Sequence, residues 1–325
     1  MVLLALVLGE MLATAGNPGS EPPPRVDIYY IWRDGVRLAH GENPYEPAAD
    51  EPLTKHPSYL PLFYLLVAAT QWAGLHDYAA WMMVWHPLLR GVHLAIGILL
   101  AVALWRAGYP VLGVFAALFW GANRWSLYAM RAGQIDEIAL LLLLGSLRAF
   151  PGRRRTSLVL FGASLAVKHV AALAGPLYLI WTWRASPARS ARARLLAVAA
   201  AVGWIALLPA AVSLPFVAWD AGAFARSVLF SVVRDADSHV RAPAVATMAG
   251  LGGVVARLPM LGLTALVLAA AARGEIGRYL SVLLVLAVFT DFSPVLFFQY
   301  LAWLVPLLVL AACDRPRACG AAREA

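Results

Sequence analysis

The feature that most constrains this chain is a succession of long apolar runs with no polar face. Ala80–Trp105, Ser157–Val167 and Leu195–Phe216 are examples, and such runs recur along all 325 residues. A helix on the surface of a soluble protein shows an apolar stripe opposite a polar one; these runs are apolar all round. Strands of a membrane barrel would alternate polar and apolar residues, which these do not. Hydrophobic residues make up 62% of the chain and charged residues 14%, with a mean hydropathy of +0.72. Soluble domains run at roughly 45–50% apolar and about 25% charged, so lipid is the solvent this composition demands. The fold class expected is an all-α polytopic membrane protein, a single domain over residues 1–325.

Charge sets the expected topology. Met1–Ala15 reads as a first span, with a signal peptide cleaved near Ala13-Thr14-Ala15 as the other reading. Residues 16–57 form the longest polar stretch. Within it Pro22-Pro23-Pro24 forbids helix, Asp27–His40 reads as a short amphipathic helix ended by Gly41, and Asn43-Pro44-Tyr45 reads as a turn. Tyr59–Leu75 is expected to lie along the membrane interface, which makes 16–79 one outer loop carrying interfacial helices. Ala80–Trp105 then crosses, followed by spans near 110–127, 134–150, 157–168, 170–183, 195–216, 257–272, 278–291 and 294–312. The pair meeting at Lys168-His169 is short for a layer of about 30 Å. With the first loop outside, Arg106, Arg148 with Arg153-Arg154-Arg155, Arg184–Arg194, Arg273–Arg278 and Arg315 with Arg317 all fall inside. Most acids fall outside, Asp27, Asp34, Asp136, Glu137, Asp220 and Asp291 among them. This agrees with the positive-inside rule, and it explains the net charge of +8 without nucleic acid.

The outer loops gather the chemistry. Asp27 and Asp34 lie in the first loop, Arg124, Arg131, Gln134 and Asp136 before the fourth span, and Lys168-His169 at a helix break. Arg234–Arg241 occupies a late loop, and Gln299-Tyr300 enters the last span. A hydroxyl acceptor needs a carboxylate to take its proton. A phosphate leaving group needs Arg or Lys to hold its developing charge.

Val26-Asp27-Ile28-Tyr29-Tyr30, Gly35–Leu38, Gly41-Glu42-Asn43-Pro44-Tyr45 and His56-Pro57-Ser58-Tyr59-Leu60-Pro61-Leu62 together form an aspartate, an aromatic-rich helix, a Pro-Tyr turn and a Tyr-x-Pro-Leu entry. This series resembles the opening of GT-C-fold glycosyltransferases that use polyprenyl-phosphate sugars. It is most similar to bacterial polyprenyl-phosphomannose-dependent α-mannosyltransferases and, more distantly, to the first mannosyltransferase of GPI-anchor synthesis. Arg131-Ala132-Gly133-Gln134-Ile135-Asp136 resembles the family's Gly-Gln segment. Phe298-Gln299-Tyr300-Leu301-Ala302-Trp303-Leu304-Val305-Pro306-Leu307 resembles its Gln-Tyr-x-x-Trp-x-x-Pro ending. Two departures bear on donor and acceptor: Lys168 has no proline before Pro176, and Tyr59-Leu60-Pro61 stands where Tyr-Pro-Pro is usual.

The resemblance implies a GT-C-like bundle of about ten transmembrane helices in a bacterial plasma membrane, with the active site on the extracytoplasmic side. It implies a polyprenyl-phosphate-linked sugar donor, a glycolipid or glycan acceptor and membrane lipids around the site, and it demands neither cofactor nor metal. Asp27 would be the general base of an inverting displacement, with Asp34, seven residues on, as a secondary carboxylate. Lys168, His169, Arg131 and Arg234 would hold the donor phosphate. Gln134, Gln299, Tyr300 and Trp32 would contact sugar or acceptor.

Each assignment has a plainer competitor. Asp27 could be an ordinary loop carboxylate, Asp34 could pair with Arg37, and Lys168 could snorkel from a span end. Arg131 and Arg234 could bind lipid headgroups, and Gln299 could cap a helix. His86, Arg90 and His93 share a helical face, which suits a buried polar network between helices. Cys313 and Cys319 form no disulfide framework and no metal spacing. Gly250–Gly253 lacks the Lys-Ser/Thr of a phosphate loop. A transporter or flippase of a lipid-linked or amphipathic solute is the competing function, although the halves show no internal repeat. A ligase or phosphotransferase acting on lipid-linked sugars is a third.

Overall fold

A computed structural model describes residues 27–46, 59–233, 248–251, 255–292 and 297–314. The expected first span Met1–Ala15, the cluster Arg234–Arg241 and the tail with Arg315 and Arg317 lie outside the described residues. So does the start of the His56-Pro57-Ser58 motif. The described residues fold as helices, with no strand among them.

The order is α1 (Asp27–Ala39), α2 (Leu62–Trp72), α3 (Tyr78–Arg106), α4 (Pro110–Ala122), α5 (Arg124–Arg131), α6 (Asp136–Ala149) and α7 (Arg154–Val167). A 3₁₀ segment (His169–Ala174) follows, then α8 (Gly175–Arg184), α9 (Ala191–Val233), α10 (Leu258–Arg273), α11 (Arg278–Phe292) and α12 (Phe298–Cys313). Local signals account for many of the ends. Asp77 caps α3 by accepting from the Ala80 N–H at 2.9 Å, and Pro110, Pro176 and Pro259 occupy first turns, where no N–H is needed. Close crossings need small residues. A Cβ on Gly113 would reach the Ala101 carbonyl of α3 at 2.7 Å, and one on Gly162 would strike the Ile205 carbonyl of α9.

Among the described residues three helices are long and apolar enough to cross a membrane: Tyr78–Arg106, Ala191–Leu229 and Val255–Arg273. Leu62–Trp72, Pro110–Ala122 and Gln299–Cys313 are apolar but shorter. The expected series of about ten spans is therefore not reproduced helix by helix. The expected span 110–127 is divided at Asn123, whose side chain accepts from the Trp125 N–H at 2.9 Å and restarts the chain as α5. The expected span 195–216 runs on to Val233, bent where Asp220 leaves helical geometry and accepts from the Ala223 N–H. The expected amphipathic helix Asp27–His40 corresponds to α1, and the expected interfacial helix Tyr59–Leu75 corresponds to the shorter α2.

Charge divides between the two ends of the bundle. Arg154 donates to the Ala185 carbonyl, Arg184 donates to the Ala271 carbonyl, and Arg154 and Arg278 both lie over the Phe150 ring. These contacts tie the end of α6, the start of α7, the ends of α8 and α10 and the start of α11 into one arginine-rich end. α6 begins at Asp136 and reaches Arg148 about 18 Å away at 1.5 Å per residue, so Asp136, Lys168 and their neighbours lie at the opposite end.

Candidate functional site

The site is assembled from four separated stretches of chain, beginning with α1. Its buried face is Ile28, Ile31, Asp34 and Gly35, set against α2. Gly35 is required there because a Cβ would collide with the Cβ of Val67. This packing leaves Asp27 half-buried in the first turn, where the helix dipole favours a carboxylate.

The loop after α1 is pinned twice. Arg37 donates to the Glu42 carboxylate at 2.9 Å, to the Asn43 carbonyl at 3.3 Å and to the Glu46 carbonyl at 3.0 Å. Tyr45 is 1% exposed, its ring set edge-on among Tyr64, Phe216 and Phe224. Its backbone carbonyl accepts from Ser227 of α9, and its hydroxyl donates to the Tyr59 carbonyl at 2.9 Å. The Gly41–Tyr45 motif thus acts as an anchor that sets Tyr59. The Tyr59 phenol points to Asp27, donating to Oδ2 at 3.5 Å. Burial, with the Asp27 carboxylate adding to it, pushes this phenol far above its ordinary range, so it stays a donor.

The second stretch is the Gly-Gln turn before α6. Gly133 has φ +69, open to glycine without strain, and a Cβ there would sit 3.2 Å from Ile28 Cγ2. Trp85 of α3 donates to the Gly133 carbonyl at 3.2 Å. The turn is therefore clamped between α3 and the first turn of α1, and it starts α6 at Asp136. The third stretch is the break after α7, where Lys168 is extended (φ −146°, ψ 116°) before the 3₁₀ segment. Its ammonium donates to Asp136 Oδ2 at 2.6 Å. The fourth is the start of α12: Trp303 donates to Asp136 Oδ1 at 3.1 Å, and the Lys168 ammonium lies 5.2 Å from the Tyr59 ring and 5.7 Å from the Tyr300 ring.

Of the expected site residues, Asp27, Lys168 and Tyr300 come together here. Gln134 and Gln299 are buried. His169 is half-buried at the start of the 3₁₀ segment, and Arg131 is exposed at the end of α5. Trp32 sits apart, in an aromatic group with Tyr29 and Tyr78. Asp34 is 1% exposed, with Arg33 at 3.5 Å and Arg37 at 3.6 Å. It shares a face with Asp27 and also supports the arginine that pins the loop. Arg234 lies outside the described residues. Lys168 is 3% exposed, and Asp136 already balances its charge.

Three members had no assigned role in the sequence: Tyr59, Asp136 and Trp303. Asp136 carried a signal, an acid opening a leucine-rich helix, and Tyr300 with Trp303 share a face at i, i+3 spacing. Nothing in the sequence pairs Tyr59 with Asp27. A second buried pair lies beside the site. His93 Nδ1 is 3.0 Å from Glu137 Oε1, with Trp120 stacked on the imidazole and donating to the His93 carbonyl. It answers the expected network of His86, Arg90 and His93 with His93 alone on the buried face of α3. Among the described residues no three His, Cys, Asp or Glu are grouped as metal ligands. Comparison with known families, curated proteins and solved structures finds no match for this chain.

Proposed function

We propose that the protein is an integral membrane glycosyltransferase of GT-C type. It transfers a hexose, mannose by resemblance, from a polyprenyl phosphate to a hydroxyl of a glycolipid or glycan. One observation carries the reading: the stretches that resemble the family, far apart in sequence, meet around Asp27, Tyr59, Asp136, Lys168 and Tyr300. Asp27 takes the acceptor proton as the acceptor oxygen attacks the anomeric carbon. The bond from that carbon to the phosphate oxygen breaks with inversion, and polyprenyl phosphate leaves with the electron pair. Tyr59 orients the base. Lys168, held by Asp136, fixes the two phenols and offers its charge to the donor phosphate if Asp136 yields it. Arg131 is the exposed cation of this set.

The chain reconstituted in liposomes with labelled polyprenyl-phosphate mannose and a panel of glycolipid acceptors tests this. Wild type transfers the sugar, and Asp27→Asn loses about 10²–10⁴-fold while still binding donor, the usual worth of a general base. Full activity in that variant would remove Asp27 from the role. A transporter is favoured by one feature, the pairs His93–Glu137 and Lys168–Asp136 buried inside the bundle. Its outcome in the same liposomes is movement of the lipid-linked sugar across the bilayer with no transfer.

A further inference from the structure

At the arginine-rich end, a cavity of about 380 Å³ opens between α8, α9 and α10, lined by Leu179, Ile180, Trp183, Arg184, Val198 and Ala272. Its volume is that of a small-molecule cleft. The lining is graded along the helix axes. Arg184 and Trp183 lie in the last turn of α8 and Ala272 in the last turn of α10, at the mouth. Leu179 and Ile180 lie a turn deeper, and Val198 lies about 10 Å along α9 from its start at 1.5 Å per residue. A cation and an indole at the rim above an aliphatic slot match an amphiphile with an anionic head, and they match neither a sugar nor a wholly apolar molecule.

The cations at the rim are built in place. Arg184 donates to the Ala271 carbonyl at 2.7 Å, and its guanidinium lies flat against Gly274, whose left-handed φ of +80 ends α10. That bond uses one of five N–H donors and fixes where the rest of the group sits. Arg194 donates to the Ala188 carbonyl at 2.9 Å and lies 5.7 Å over the Trp183 ring. Arg184 thus lines the groove together with Trp183, and Arg194, just outside the lining, lies over the same indole. Among the described residues the acids at this end are engaged elsewhere: Glu275 by Arg273, and Asp314 beside Gly277.

We infer that this groove is a binding site for one anionic phospholipid. The phosphate would be held by Arg184 and Arg194, and an acyl chain would lie along Leu179, Ile180 and Val198. The site is at the opposite end of the bundle from Asp27, and the inference stands whether or not the proposed transfer is correct.

Native mass spectrometry of the delipidated full chain, titrated with dioleoyl phosphatidylglycerol or dioleoyl phosphatidylcholine, reads it directly. Wild type retains one phosphatidylglycerol at least tenfold more tightly than phosphatidylcholine. Arg184→Gln lowers that preference about tenfold, and Val198→Trp, which fills the slot with charge unchanged, does the same. Arg192→Gln, at the same end but outside the groove, leaves it intact. Thermal unfolding of each variant in detergent separates loss of the site from loss of the fold, and Val198→Trp keeps the test open should Arg184→Gln loosen α10. Equal binding of the two lipids overturns the inference. So does a loss in Arg192→Gln as large as in Arg184→Gln, or a silent Val198→Trp.

Discussion

At the residue scale the ion pair Lys168–Asp136 decides how the site is held. Both side chains are almost fully buried, and Trp303 satisfies the second carboxylate oxygen. Breaking such a pair from one side strands a charge in a poorly solvated interior, at a cost of about 3–5 kcal/mol, whereas removing both charges together costs far less. Asp136→Asn should therefore lower the unfolding midpoint in detergent markedly, and Lys168→Met with Asp136→Leu should recover most of the loss. Equal losses in single and double variants would mean that the pair is not coupled. Tyr59→Phe keeps the ring beneath the ammonium but removes the donor to Asp27. It should lower transfer about tenfold, the kinetic equivalent of roughly 1.4 kcal/mol, and lower the unfolding midpoint far less than Asp136→Asn does. Lys168 stood out in the sequence because an ammonium inside an apolar stretch needs a partner. The identity of that partner did not, because Asp136 lies 32 positions earlier and only the packing of α6 against α7 joins them.

At the scale of elements, the position of Asp27 depends on one crossing. α1 lies against α2 through Gly35 and Val67 with no room for a methyl group, and interiors packed this closely resist added volume. Gly35→Ala should cost about 1–3 kcal/mol by overpacking and should displace the first turn of α1. Val67→Gly in the same chain removes the Cβ that would be struck and should restore transfer, though not the full stability. Failure of that rescue in a folded double variant would show that the crossing does not position Asp27. The two helices themselves were legible: amphipathic spacing after the triple proline marked α1, and Pro61 marked the start of α2. Two breaks were not. Asn123 sits in an apolar run that reads as one span, yet its side chain is a good cap and divides the run. Pro215 and Asp220 read as the end of a span. The helix passes through the proline, as lipid-facing helices can, and Asp220 restarts it as a cap. That continuation brings Phe224 and Ser227 onto Tyr45. The socket that anchors the Gly41–Tyr45 motif was invisible for this reason, since its two halves are 182 positions apart.

For the whole molecule, the segregation of charge predicts an orientation. Arg154 at the start of α7 and Arg184 at the end of α8 donate to carbonyls at the ends of α8 and α10, and Arg154 and Arg278 both lie over the Phe150 ring at the end of α6. The Asp27 cluster lies at the other ends of α6 and α7. Arginine-rich ends stay in the cytoplasm because translocating clustered cations is unfavourable, so the rule predicts that Asp27 lies outside. The sequence carries the expectation of that same polarity, and its span count rests on apolar runs checked against the placement of arginine. Many of the apolar helices are 10 to 16 residues long, about 15–24 Å at 1.5 Å per residue and short of a layer about 30 Å thick. Among the described residues these short helices accompany three long ones, and Lys168 and Tyr59 meet beside the break between α7 and the 3₁₀ segment. Orientation is then the property to measure. In a chain with Cys313→Ser and Cys319→Ser, a cysteine introduced by His76→Cys, two residues before α3, should react with a membrane-impermeant maleimide on intact cells. One introduced by Glu275→Cys, in the exposed loop between α10 and α11, should react only after the membrane is opened. The reverse pattern would put Asp27 in the cytoplasm and end the case for an extracytoplasmic acceptor. Labelling of both sites on intact cells would mean that the two ends of the bundle do not lie on opposite sides of a membrane.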